Sequence, residues 1–208
     1  MLVPSVKNLI FDLGGVILDL SVDHTLQSFA KLSRLPKEKV QDLYVSTPGF
    51  LEYEKGLIDD DTFRGFVRQT FSIQADDASL DECWNAMLRG IPTVKLELLL
   101  RLQNEFRVFL LSNTNAIHLE YINGHMLPKN GKENSLDRYF HKAYYSHRMK
   151  KRKPDAEIFE QVLEENNLMP EETLFLDDYA VNIEGAKALG IKTIHVTSPQ
   201  LILDYFHA

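Results

Sequence analysis

Apolar residues recur along this chain at two spacings, and the change from one to the other divides it. Residues 6–12 form a short apolar run that stops at Gly14-Gly15, the signature of a buried strand closed by a turn. From about 21 to 91 the apolar positions recur every three or four residues. The spacing predicts helices over 23–32, 37–44, 61–71 and 79–88, and no strand pattern interrupts them. Asp59-Asp60-Asp61 offers acidic N-caps ahead of the helix that carries Phe63, Phe66 and Val67.

After Pro92 strands and helices alternate. A helix is predicted over 93–103 with Val94, Leu98, Leu99 and Leu102 on one side, then a strand over 106–111 running into Ser112-Asn113-Thr114-Asn115. A short strand is expected at 142–146, a helix over 155–166 opened by Pro154, and a strand over 173–177 ending in Asp177-Asp178. A helix over 180–189 with Gly190 at its C′ position and a last strand over 191–196 complete the series. This alternation predicts an α/β fold with a parallel sheet covered on both faces, interrupted after its first strand by a helical insert. Residues 124–135, polar and holding Gly124, Pro128 and Gly131, read as a loop with the makings of a flap.

Composition narrows the partners. With 208 residues there is room for one core domain and a smaller second one. A net charge of −7 argues against nucleic acid and against an anionic membrane surface. Cys83 is the only cysteine, which excludes an intrachain disulfide and suits a reducing compartment. The first twenty residues are broken by Lys7 and Asp12 and lack the pattern of a secretion signal, and no apolar stretch is long enough to span a bilayer. The expectation is a soluble, cytoplasmic protein of open oligomeric state.

The candidate chemistry sits where strands end. Asp12 closes the first strand, Ser112 and Asn113 the strand after the insert, Asp177 and Asp178 the third strong strand, and Lys153 precedes a helix. In open α/β sheets ligands bind outside the carboxyl ends of the strands, so parallel pairing would gather these groups on one edge. A carboxylate nucleophile, a lysine and an oxygen-rich site for a divalent cation together suit phosphoryl transfer through an enzyme carboxylate.

The ordered set Phe-Asp-Leu-Gly-Gly-Val, Leu-Ser-Asn-Thr-Asn, Lys-Pro-Asp-Ala-Glu-Ile-Phe and Phe-Leu-Asp-Asp-Tyr-Ala-Val-Asn-Ile-Glu-Gly-Ala resembles the haloacid dehalogenase (HAD) superfamily along nearly the whole chain. Within it the motifs look nearest to the α-D-glucose-1-phosphate phosphatases, with the phosphatase domain of epoxide hydrolases further off. The resemblance implies a Rossmann-like core from residues 1–20 and 92–208 and a helical cap domain at 21–91. It also implies Asp12 as nucleophile and Mg²⁺ ligand. Gly14 would offer its carbonyl to the metal. Ser112 and the backbone at Asn113 would hold phosphate, and Lys153 would neutralise charge. Asp178 would be a direct Mg²⁺ ligand, with Asp177 beside it acting directly behind or through water. The implied activity is hydrolysis of a small phosphorylated metabolite of the sugar-phosphate class, such as glucose 1-phosphate.

One departure matters. Most phosphatases of the superfamily carry a second aspartate two residues after the nucleophile as general acid and base, and here that position is Gly14. Such help is typically worth about 10²–10⁴-fold, so a good leaving group such as an anomeric sugar oxygen would suit the chain. Asp19, Asp23 and His24 are candidate bases near the hinge. Two other readings stay open: a metal-independent dehalogenase, which also lacks the second aspartate, and a weakened relative that only binds a ligand. In the basic run Arg148 to Lys153 only Lys153 is assigned to the site and the rest to the surface. Asn182 reads as a positioning residue, His118, His125, His141, His147 and His195 as ordinary, and Cys83 as a small buried residue.

Overall fold

The computed structural model describes residues 5–128 and 135–207. Five parallel strands form the central sheet: β1 (Asn8–Phe11), β4 (Arg107–Ser112), β5 (Lys142–Tyr145), β6 (Thr173–Asp177) and β7 (Lys192–His195), in the order β5-β4-β1-β6-β7. The short β2 (Asp19–Leu20) and β3 (Leu88–Gly90) pair antiparallel in a separate ribbon. Between them run α1 (Val22–Ser33), α2 (Lys37–Ser46), α3 (Gly49–Glu54), α4 (Asp60–Phe71) and α5 (Asp77–Asn85). The sheet is wrapped by α6 (Thr93–Leu102), α7 (Ala116–His125), the single turn α8 (Ser146–Met149), α9 (Ala156–Asn166), α10 (Ala180–Ala188) and α11 (Leu201–His207).

Side chains on a strand alternate between faces, and the central strands spend both sets on apolar contact. Leu9 and Phe11 of β1, with Leu174 and Leu176 of β6, join Leu96, Leu99 and Phe206 in one core. Ile10 and Phe175 join Ile158, Phe159, Val162 and Ile183 of α9 and α10 in the other. That two-sided burial is why these strands read as unbroken apolar runs.

The helices of the insert follow the three-four spacing. Phe63, Val67 and Phe71 make the buried face of α4, and Asp59 caps it by accepting from the Thr62 amide at 2.8 Å. Asp76 caps α5 in the same way through Ser79 at 2.9 Å. The insert adds its apolar side chains to the first of the two cores, with Phe29, Phe50, Tyr53 and Trp84 all buried.

The differences from the expected elements have local causes. The ribbon of β2 and β3 is too short for any alternation to show, so the stretch expected to be strandless contains one strand. The six-residue α3 is likewise too short to reveal a period. Gly124 lies inside α7, whose apolar residues Ile117, Leu119 and Ile122 bury one side, so the expected loop starts later. Residues 129–134 of that expected flap lie outside the described residues. Pro154 precedes α9 rather than opening it, because Asp155 takes the N-cap. Cys83 is half-buried. Among the described residues no helix is long and apolar enough to cross a membrane.

Candidate active site

Parallel register aligns the strand ends. Phe11 stands opposite Leu110 of β4 and Leu176 of β6, so the residues that follow emerge at one edge. The Asp12 amide continues the ladder for one more bond, to the Leu176 carbonyl at 2.8 Å. Asp12, Asp177 and Asp178 offer oxygens within 4.8 Å of one another.

Lys153, itself 1% exposed, points its ammonium at two of them: Nζ is 2.7 Å from Asp12 Oδ1 and 2.7 Å from Asp177 Oδ2. Burial pushes the Asp12 carboxyl up to about 7, against the pull of Lys153 and with a further push from Asp177. Burial works against the charge on Lys153, but the two carboxylates outweigh it and hold its pKa above the ordinary lysine value. Asp178 is raised by burial first and by Asp177 second.

Asp177 is fully occupied. Besides Lys153, it accepts from the Tyr179 amide at 2.7 Å and from Asn182 Nδ2 at 3.0 and 3.1 Å. Its neighbour Asp178 is exposed and lies over Gly15. A Cβ on Gly15 would fall 2.1 Å from Asp178 Oδ2, and Gly15 has φ +71°. The turn after β1 therefore needs glycine both for its backbone conformation and for the room it leaves the carboxylate.

Three clustered carboxylates, two of them bonded to the Lys153 ammonium, leave an excess of negative charge that a divalent cation would neutralise. The donors are all hard oxygens, which suits Mg²⁺. A dication there would also draw Asp12 back to its ionised form. Ser112 is buried at the end of β4. The Asn113 side chain grips the backbone of Lys153, accepting from its amide at 2.9 Å and donating to its carbonyl at 3.0 Å. That clamp links the β4 and β5–α9 segments and aims the ammonium.

Next to these groups lies a cavity of about 160 Å³ between insert and core, with Gly14, Leu18, Leu20, Tyr44, Glu54, Trp84, Ser112 and Asn113 in its wall. A larger, more open groove of about 880 Å³ elsewhere is lined by Lys31, Cys83, Asn85 and Arg89 and holds none of the clustered carboxylates.

A D-ribitol-5-phosphate phosphatase of Bacteroides thetaiotaomicron is 32% identical over 188 residues, 90% of this chain and 90% of that one. The haloacid dehalogenase-like hydrolase family model matches residues 123–196. The chain belongs to the haloacid dehalogenase-like hydrolase family. Two solved structures of HAD proteins are similar throughout. One is a HAD family enzyme of Bacteroides thetaiotaomicron in complex with magnesium and inorganic phosphate, 38% identical with a TM-score of 0.83 over 91% of this chain and 93% of that one. The other is a predicted HAD-like family hydrolase of Porphyromonas gingivalis, 26% identical with a TM-score of 0.85 over 98% and 99%.

In this HAD hydrolase Asp12, Lys153, Asp177 and Asp178 converge directly, and Gly14, Ser112 and Asn113 line the adjoining cavity. The three candidate bases at the hinge do not line it. Asp19 takes the buried Lys95 ammonium at 3.3 Å, Asp23 is paired with Lys37, and His24 is tied to Ser21 at 2.8 Å. Arg152 is half-buried rather than wholly on the surface: Nη2 reaches Glu54 Oε2 at 3.2 Å and Nε is buried. Sequence reasoning passed over Glu54, because the turn of helix that carries it shows no period, and passed over the Asn113 clamp, because it joins residues forty positions apart.

Proposed function

We propose that this HAD hydrolase is a Mg²⁺-dependent phosphatase that hydrolyses a small phosphorylated carbohydrate through an aspartyl-phosphate on Asp12. The observation that carries the reading is the trio Asp12, Asp177 and Asp178 set against the single Lys153 ammonium. It weighs against a dehalogenase, which has no use for a cation. Membership of a hydrolase family weighs against a purely binding role.

In this reading Asp12 attacks phosphorus, and Lys153 balances the charge shared by nucleophile and phosphoryl oxygens. The Ser112 hydroxyl and the Asn113 amide hold the phosphate. Asp12, the Gly14 carbonyl and Asp178 hold the cation, while Asp177, already engaged by Lys153 and Asn182, steadies it from behind. Bound Mg²⁺ supplies Lewis-acid stabilisation of the phosphoryl charge. Residues 1–20 and 92–208 serve as the catalytic core domain and 21–91 as a cap that selects the substrate. The lone cysteine fits a cytoplasmic setting.

The cavity suits a metabolite rather than a polymer. The relative named for D-ribitol 5-phosphate points to sugar and polyol phosphates, and glucose 1-phosphate belongs to the same class. Phosphate release is to be measured over a panel of such esters with Mg²⁺, with chelator and with Asp12→Asn. Turnover by the Mg²⁺-loaded wild type only is expected. A wild-type enzyme inert towards the whole panel and towards an aryl phosphate overturns the reading.

A further inference from the structure

With glycine at position 14, the cavity must find its proton donor elsewhere. Among the described residues three titratable side chains line it: Tyr44, Glu54 and His118. His118 is spoken for, with Nδ1 3.1 Å from Asn115 Nδ2 and Nε2 3.1 Å from the Trp84 carbonyl. Tyr44 is pushed up to about 12 by burial and by the Glu54 charge, out of reach of proton exchange near neutrality. Glu54 remains.

Glu54 is held as a working group is held. Its backbone carbonyl accepts from Ser146 Oγ at 2.6 Å, and the same hydroxyl is bonded to the Thr114 amide at 2.9 Å and the Thr114 carbonyl at 3.0 Å. One buried serine thus pins the end of α3 to the loop that follows Ser112. The side chain is steadied by Arg152 Nη2 at 3.2 Å. Gly56, two residues on, packs so tightly that an added Cβ would lie 2.1 Å from the His147 carbonyl oxygen. The last turn of α3 is therefore seated against the catalytic core and not free to swing.

We infer that Glu54 is the general acid and base of this phosphatase, supplied by the helical insert in place of the side chain absent at Gly14. The inference rests on the phosphatase reading above. In the first step Asp12 forms a bond to phosphorus, the bond from phosphorus to the ester oxygen breaks, and the Glu54 carboxyl gives its proton to that oxygen, releasing an alcohol. In the second, Glu54 carboxylate takes a proton from water as the water oxygen bonds to phosphorus. The bond from phosphorus to Asp12 breaks, releasing phosphate, and Glu54 is protonated again for the next cycle. Burial raises the Glu54 carboxyl above the ordinary glutamate range, and the Arg152 and Lys153 charges oppose that rise. Arg152, Lys153, Tyr44 and His118 are the titratable or charged groups that face it or share its cavity. A supplied acid also removes the need for a good leaving group, so ordinary alcohol esters such as polyol phosphates become substrates.

The test compares an alkyl phosphate with 4-nitrophenyl phosphate, whose leaving group needs no proton, using Mg²⁺-loaded wild type and Glu54→Gln. The variant is expected to lose about 10²-fold or more in kcat/KM on the alkyl ester and far less on the aryl ester. On the aryl ester it should release a stoichiometric burst of nitrophenolate, because the second step has lost its base. Equal losses on both esters, or no loss on either, overturn the assignment. If Glu54→Gln does not fold by circular dichroism, Glu54→Asp must show the same leaving-group dependence in smaller size, and its absence overturns the assignment. Wild type inert on both esters would instead overturn the phosphatase reading itself.

Discussion

The Lys153 ammonium stands 2.7 Å from Asp12 Oδ1 with its own side chain 1% exposed. It is also 2.7 Å from Asp177, so one positive charge holds two carboxylates that would otherwise repel each other in a site shielded from water.

Lys153→Met should therefore damage more than catalysis. Removing one partner of a buried ionic group costs about 3–5 kcal/mol, so the metal-free variant is expected to unfold well below the wild type in thermal melts. Mg²⁺ would replace part of the missing charge. The rise in Tm on adding Mg²⁺ should be larger for the variant than for the wild type, while phosphatase activity stays at least about 10²-fold down. An equal Mg²⁺ effect on both proteins would contradict this account of the charge balance.

Gly15→Ala should weaken metal binding without touching a donor atom. The added methyl would meet Asp178 Oδ2 and force an unfavourable φ. Backbone strain of this kind costs about 1–3 kcal/mol. The expected outcome is a lower Tm and a higher Mg²⁺ concentration for half-maximal activity, with much of the rate recovered at saturating Mg²⁺. An unchanged Mg²⁺ requirement would show that Asp178 does not depend on this turn.

His118 gives the fold a pH dependence of its own. Its ring stacks on Trp84 at 4.8 Å and is kept neutral by burial, which pushes its pKa down to about 4. The unfolded chain takes up that proton near pH 6.5, so below this value protonation favours unfolding; stability is full above it and is lost as pH falls towards 4. Between pH 7 and pH 5 the loss from this group should be about 2 kcal/mol. Urea unfolding of wild type and His118→Gln at both pH values checks it: the variant should show a smaller loss, and equal losses would refute the assignment.

The fold was largely legible because its signals are local. Strand β6 was readable residue for residue, since Thr173–Asp177 is apolar, short and bounded by a loop and an acidic pair. The site was legible as far as each motif ends a strand, since parallel pairing converts matched strand ends into a shared edge. What escaped depends on contacts between distant segments. Nothing around Glu54 announces that Ser146 and Arg152 will meet it, and nothing in the run Arg148 to Lys153 tells its buried members from its exposed ones. The candidate bases offered at the hinge, Asp19, Asp23 and His24, do not line the cavity. The chain there turns along the ribbon, and Lys95 claims Asp19.

The ribbon itself has an architectural consequence. Asp19 pairs with Gly90 and Leu20 with Leu88, so the chain departs and comes back at neighbouring points. Both connections to the insert run through this one ribbon, which lies outside the five-stranded sheet. The link between insert and sheet is therefore a paired stem, and a slip of its register would displace both ends of the insert together.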